Sequence, residues 1–201
     1  EYYVKATDRR AMRSVRSSFA RVFICMSGFI KNQCQGWGYY ISKIKTKSNS
    51  IFSSSNSINE LGLGTGIIVS NNGYILSNCH VTGKKSSTCY ITLENGYTYE
   101  GSVVWCDSDL DLSITKINAT NLPYATIGDS SNLKAGETVY AIGNPIGYEF
   151  RKTITSGIIS STNRSIRFEE NNNVVYMTDL IQTDASINPG NSGGPLTSVK
   201  I

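Results

Sequence analysis

This sequence predicts an all-β fold built from barrels, on three observations. Its 201 residues include 18 glycines and 12 tyrosines, a composition that suits strands and tight turns better than helices. Its apolar residues come in many short runs broken by Asn, Gly and Ser. Two such runs, Thr88 to Glu94 and Tyr97 to Cys106, are separated by Asn95-Gly96, the dipeptide of a two-residue hairpin turn. The length suits one domain, or two small lobes sharing a cleft, and is enough to bury a sizeable core.

The chain opens with a basic segment, residues 1 to 19. Residues 1 to 21 contain six basic side chains (Lys5, Arg9, Arg10, Arg13, Arg16, Arg21) against Glu1 and Asp8, and the remaining chain balances at 13 basic and 13 acidic residues. The net charge of +4 therefore sits at one end, and the rest offers no phosphate-tracking surface, so no nucleic-acid partner is expected. Val4, Ala11, Met12, Val15, Phe19, Val22 and Phe23 recur at spacings compatible with one helical face. A cationic amphipathic helix of that kind can lie on an anionic membrane, although a solvated helix or a disordered lead-in is the simpler reading. Phe19 to Ile30 is apolar but interrupted by Arg21 and Ser27, and falls short of the roughly 18 to 20 residues of a spanning helix. From Lys31 to Asn59 the sequence turns to Lys, Ser, Asn and Gly, which predicts a long mobile loop.

The next runs carry candidate chemistry. His80, the only histidine in the chain, lies within Gly73 to Gly83 at the end of an apolar run that reads as a strand, and it is the only side chain whose ordinary titration range makes it a base near neutral pH. From Asp111 to Ile117 the residues alternate as in a strand entered at Asp111. Asp107, Asp109 and Asp111 share a parity, so register alone does not choose among them, and Asp107 reads as a solvated turn residue. Tyr124 to Ile127, Glu137 to Gly143, Arg151 to Ser160 and Val174 to Thr183 continue the strand pattern. Then comes Asp184-Ala185-Ser186-Ile187-Asn188-Pro189-Gly190-Asn191-Ser192-Gly193-Gly194-Pro195. Glycines on both sides of Ser192 leave its hydroxyl open to approach and allow backbone amides to turn toward an incoming oxygen. A serine nucleophile needs a base and a carboxylate to orient that base, and the chain contains both.

The five cysteines are Cys25, Cys34, Cys79, Cys89 and Cys106. With no C-x-x-C pair and one histidine, a metal site is not expected. Buried thiols are the expected state; Cys89 and Cys106 lie in consecutive strands and form the one pairing considered. Cys79 is a poor nucleophile candidate, because an adjacent strand residue faces away from His80.

Taken together, Gly62 to Val69, Ser77-Asn78-Cys79-His80-Val81, Asp111 to Ile117, Val139 to Gly147, Thr153 to Ser160 and Ile181 to Pro195 resemble, in order, the blocks of the HtrA (high-temperature-requirement A) family of trypsin-like serine proteases. The resemblance covers roughly residues 61 to 201. It implies a trypsin-like double β-barrel, with an N-terminal barrel at about 20 to 117, whose first strand would be Phe19 to Ile30, and a C-terminal barrel from about 124 to 201. The family carries a variable loop where Lys31 to Asn59 falls. Its Asp-Leu-Ala-aliphatic-aliphatic-Lys block lands on Asp111, with Ser113 and Thr115 as departures that leave Asp109 as a second candidate.

The implied activity is serine endopeptidase chemistry by His80, Asp111 and Ser192, with the backbone amides of Gly190 and Ser192 as the oxyanion hole, and no cofactor. By analogy with trypsin-like enzymes, Ser186, Ile187 and Asn191 would meet substrate, and Ser186 and Ile187, both uncharged, imply cleavage after small or aliphatic residues. Family membership further implies polypeptide substrates that are unfolded or damaged, a homo-oligomer, an envelope or secreted location and a membrane anchor upstream of Glu1. The chain stops nine residues after Ser192, so the expectation is an incomplete C-terminal barrel and no PDZ domain. The alternative is a truncated, catalytically silent relative that retains only peptide binding.

Overall fold

A computed structural model describes residues 2–5, 41–46, 62–108, 110–125, 127–143, 153–170, 173–188 and 190–198. The described residues form 11 strands and two single helical turns. Six strands close into a barrel: β2 (Ile41–Thr46), β3 (Gly62–Ile68), β4 (Tyr74–Ser77), β5 (Thr88–Thr92), β6 (Thr98–Asp107) and β7 (Leu112–Ile117), in the spatial order β2-β3-β4-β7-β6-β5. The others form a five-stranded sheet in the order β1-β10-β9-β8-β11, with β1 (Tyr2–Lys5), β8 (Thr138–Gly143), β9 (Thr153–Glu170), β10 (Asn173–Thr183) and β11 (Leu196–Ser198). Every described strand pair is antiparallel.

The barrel forms because its apolar residues reach both faces where both are covered. Ile68, Ile75, Ile91, Val103 and Ile117 fill the interior with Ile44, Val81 and Cys89, all 2% exposed or less. Their neighbours Ile67 and Leu76 point the other way and pack with Leu112 and Ala125, which explains the adjacent apolar pairs Ile67-Ile68 and Ile75-Leu76 where alternation would be expected. Each buried Ile or Leu contributes about 1.5–3 kcal/mol. The second sheet buries Val139, Ala141, Ile159, Ile181 and Leu196 on one face. The Asn95-Gly96 turn is present, with Gly96 at φ 84 and the Leu93 amide donating to the Tyr97 carbonyl.

Four expectations are corrected. Residues 2–5 are neither helical nor a disordered lead-in; they form β1 on the edge of the second sheet, Tyr2 opposite Thr183. The long loop expected from Lys31 to Asn59 contains β2, which sends Ile44 into the core; with Lys43 and Lys45 on either side of it, the segment reads as polar. The described residues of Tyr124 to Ile127 join no strand ladder, although the Ala125 amide donates to the Ile68 carbonyl. Residues 78 to 83 leave the strand, and His80 lies on a single helical turn, α1 (Cys79–Thr82). The expected strand from Phe19 to Ile30 and the remaining positions of the amphipathic pattern beyond Val4 lie outside the described residues.

Candidate active site

α1 begins where β4 ends. Asn78 caps it: its carbonyl accepts the amides of Val81 and Thr82 at 3.2 and 3.1 Å. This turn throws His80 onto the open rim of the barrel, next to the entry into β7. There Asp111 adopts the left-handed conformation, φ 51, which Asp tolerates better than most residues. The Asp111 carbonyl consequently points back at α1 and accepts from Asn78 Nδ2 at 2.8 Å and the Cys79 amide at 3.3 Å.

The carboxylate is then committed to one residue. Asp111 Oδ2 lies 2.6 Å from His80 Nδ1, and Oδ1 accepts the His80 backbone amide at 2.9 Å. The Asp111 side chain is 10% exposed and the imidazole 45%. Water is therefore largely kept from the carboxylate while the histidine remains reachable. This arrangement holds the imidazole proton on Nδ1 and leaves Nε2 as the basic nitrogen. Asp107 does something else: its Oδ1 accepts the Leu110 amide at 2.9 Å, capping the turn before β7. Asp109 lies outside the described residues.

Ser192 comes to this rim on a loop stapled to the first barrel. The Thr65 amide donates to the Ser192 carbonyl at 2.8 Å, and the Thr65 hydroxyl donates to the Gly190 carbonyl at 2.6 Å. Gly190 (φ 103) and Gly193 (φ 82) take left-handed conformations on either side of the serine. A Cβ on Gly193 would also run into the Thr65 carbonyl and the Ser77 hydroxyl, so glycine there is demanded by space as well as by backbone. Within the loop the Asn191 amide bonds to the Asn188 carbonyl and the Gly194 amide to the Asn191 carbonyl, at 3.0 and 2.8 Å. The amides of Gly190 and Ser192 have no acceptor among the described residues. Nor does a hydrogen bond join the Ser192 hydroxyl to the imidazole among them; in the absence of substrate this contact is commonly long.

The other candidates are placed as follows. Ser186 is exposed, and its carbonyl accepts the Thr155 hydroxyl at 2.7 Å. Ile187 packs into the core of the second sheet with Val139, Ala141 and Leu196. Asn191 is fully buried, its side chain against Gly143, where any Cβ would collide with it. Sequence reasoning missed Thr65 and Asn78 as positioning residues. Both belong to the quoted motifs, but neither carries a titratable group that would have singled it out. It also misread the cysteines. Cys79 and Cys106 form a disulfide, whereas Cys89 faces Gly101 across the β5–β6 ladder, five residues from Cys106, and donates its thiol to the Thr82 carbonyl. With its sulfur bonded, Cys79 is no nucleophile. Cys25 and Cys34 lie outside the described residues.

Comparison with known proteins shows the family. The family model described as a trypsin-like peptidase domain matches residues 64–200. The chain is 43% identical over 136 residues to a "Probable periplasmic serine endoprotease DegP-like" of Chlamydia pneumoniae, an alignment covering 68% of this chain and 26% of that protein. It is 44% identical over 163 residues to "Serine protease Do-like HtrB" of Bacillus subtilis, covering 78% and 35%. Among solved structures, "HtrA-type protease AlgW with tripeptide" superposes with a TM-score of 0.65 at 36% identity, over 80% of this chain and 48% of that one. The chain thus spans about a quarter to a third of the length of these sequence relatives. With that match running from β3 through the serine loop, the chain belongs to the trypsin-like peptidase family.

Proposed function

We propose that this chain is the catalytic part of a serine endopeptidase of the HtrA type. The observation that carries the reading is Asp111, which grips both the backbone amide and Nδ1 of His80 on the rim that receives the Ser192 loop. In the cycle, Nε2 of His80 takes the Ser192 proton as Oγ attacks the peptide carbonyl, then gives it to the departing amine, forming the acyl-enzyme. Water repeats the steps in reverse roles and frees the acid product. Asp111 holds the tautomer and stabilises the imidazolium. The amides of Gly190 and Ser192 receive the oxyanion, a contribution of about 3–4 kcal/mol per donor. The barrel (about residues 20 to 117) would supply His80 and Asp111, and the remainder, from about 124, would supply Ser192.

The test is labelling of the full chain with a fluorophosphonate, read by peptide mapping. Adduct confined to Ser192 and absent from His80→Ala is expected. A folded chain that takes no label would favour a silent, peptide-binding relative instead.

The substrate is a polypeptide, and the extended, unfolded kind fits an open cleft best. The region before the oxyanion loop offers Ser186, an exposed hydroxyl residue, and no carboxylate at that position or at Ile187. Cleavage after small or aliphatic residues is therefore expected in a peptide-library profile, and a profile dominated by Arg or Lys before the scissile bond would overturn it. The periplasmic designation of the chlamydial relative supports an envelope location, a compartment that also keeps disulfides oxidised. Assembly into homo-oligomers and anchoring to a membrane are parts of the same reading that rest on the family likeness alone.

A further inference from the structure

The proposed catalytic pair is tied together from behind by a covalent bond. In the barrel β7 runs between β4 and β6, and one residue, Ser113, faces Ser77 on β4 and Cys106 on β6. Two residues beyond Ser77 the chain has curled across the end of β7, which brings Cys79 to a Cα separation of 5.8 Å from Cys106, where the two form a disulfide. His80 is the next residue. Asp111 sits at that same end of β7, just before Leu112. The disulfide therefore closes over the strand end that carries Asp111 and holds the turn that carries His80.

Hydrogen bonds also tie α1 to the start of β7: the Thr82 hydroxyl donates to the Ser113 hydroxyl at 2.7 Å, and that hydroxyl donates to the Asn78 carbonyl at 3.1 Å. The Cys79 amide reaches the Asp111 carbonyl at 3.3 Å, beyond the usual 2.7–3.2 Å range for such bonds, and Asn78 Nδ2 supplies the second backbone contact. Both hydrogen bonds from His80 to the carboxylate depend on where α1 sits.

We propose that Cys79 and Cys106 are positioning residues: their disulfide keeps His80 aligned with Asp111, and opening it with a dithiol lowers the rate of hydrolysis. The proposal rests on the His80–Asp111–Ser192 reading. Cys79 is 8% exposed and Cys106 is half-buried, so the reductant's thiolate attacks Cys106 Sγ and the Cys79 thiolate leaves. The second thiol of the reductant then resolves the mixed disulfide. The dithiol gives up two electrons and two protons and becomes a disulfide, while Cys79 and Cys106 become thiols. Two separate thiols need more room than a bonded pair, and Cys79 is hemmed in by the Leu112 carbonyl at 3.3 Å. The displacement falls on the residue next to His80. A shift of about 1 Å in a catalytic group can cost on the order of 10²-fold.

The experiment measures hydrolysis of a quenched fluorescent peptide, with valine before the scissile bond, by the full chain. It is run oxidised, after dithiothreitol, and after reoxidation, with circular dichroism at each step and peptide mapping of the disulfide. Reduction is expected to lower kcat by about 10- to 100-fold in a chain that keeps its β signal, with KM held within about twofold because the pair and not the cleft has moved. Reoxidation restores the rate. Cys106→Ser should be slow and indifferent to dithiothreitol, while Cys89→Ser should respond as the parent does. Full activity of the reduced, folded chain overturns the proposal, as does finding both residues as thiols in active protein. Loss of the β signal in step with activity also overturns it, because the bond would then be a structural staple. If Cys106→Ser fails to fold, the reduction arm on the parent still decides. An oxidised, folded chain that neither hydrolyses peptide nor labels at Ser192 sinks the triad reading itself.

Discussion

Ser192→Ala is expected to lower kcat for peptide hydrolysis by about 10⁶-fold, the scale seen when the nucleophile of such a triad is removed. The loop geometry makes this a clean substitution. Ser192 sits between glycines in left-handed conformations, and the attachments of the loop to Thr65 run through the carbonyls of Gly190 and Ser192, which alanine keeps. Backbone and oxyanion amides stay in place, so KM should change little and a residual acceleration over water of about 10³–10⁴ should survive. Steady-state kinetics on the folded variant give the answer. A loss under about 100-fold would be too small for a nucleophile and would remove Ser192 from that role.

Asp111→Asn is expected to cost about 10⁴-fold in kcat while leaving the fold intact. The carboxylate accepts two hydrogen bonds from His80, one at the backbone amide and one at Nδ1. An asparagine has one acceptor oxygen and one donor group. If its oxygen stays on the backbone amide, its NH₂ faces Nδ1 and demands that this nitrogen accept, which moves the imidazole proton to Nε2, where the serine proton should go. If the amide flips, two donors meet at the His80 backbone. The first arrangement pairs both groups but fixes the wrong tautomer; the second leaves the His80 backbone amide unsatisfied, at about 1–3 kcal/mol of stability. Asp109→Asn serves as the control; a change that leaves the pair intact should alter stability by no more than about 0.5 kcal/mol and the rate by about twofold. The reverse ranking of the two variants would transfer the role to Asp109.

Much of this site was legible in the order of residues. The glycines around Ser192 announce a presented serine because only glycine accepts the φ of 103 and 82 found there. A single histidine left no rival for the base. Strands β4 to β8, β10 and the first half of β9, with their runs of Ile, Val, Leu and Tyr, could be read because burial of one or both faces imposes a pattern on neighbours in the chain; the continuation of β9 from Ser161 to Glu170 was not read. β2 could not, since Ile44 is its one apolar residue known to reach the core and Lys43 and Lys45 flank it. β1 could not either, because four residues at a sheet edge carry almost no periodic signal.

The amino-acid sequence by itself determined the all-β class and the family resemblance, and it singled out Ser192 and His80 as the candidate nucleophile and base, since each rests on residue type or local spacing. Three things needed tertiary structure. Register left three aspartates open and the family resemblance pointed to Asp111; its carboxylate lies 2.6 Å from His80, while Asp107 caps Leu110. Cys79 meets Cys106, 27 residues away, because β7 lies between the strands that lead to them. Thr65 pins a serine loop more than 120 residues downstream. The physical reason is common to all three: hydrogen bonds and disulfides depend on separations of a few ångströms in space, and strand order in a barrel, which sets those separations, is a property of the whole packed chain and not of any one stretch of it.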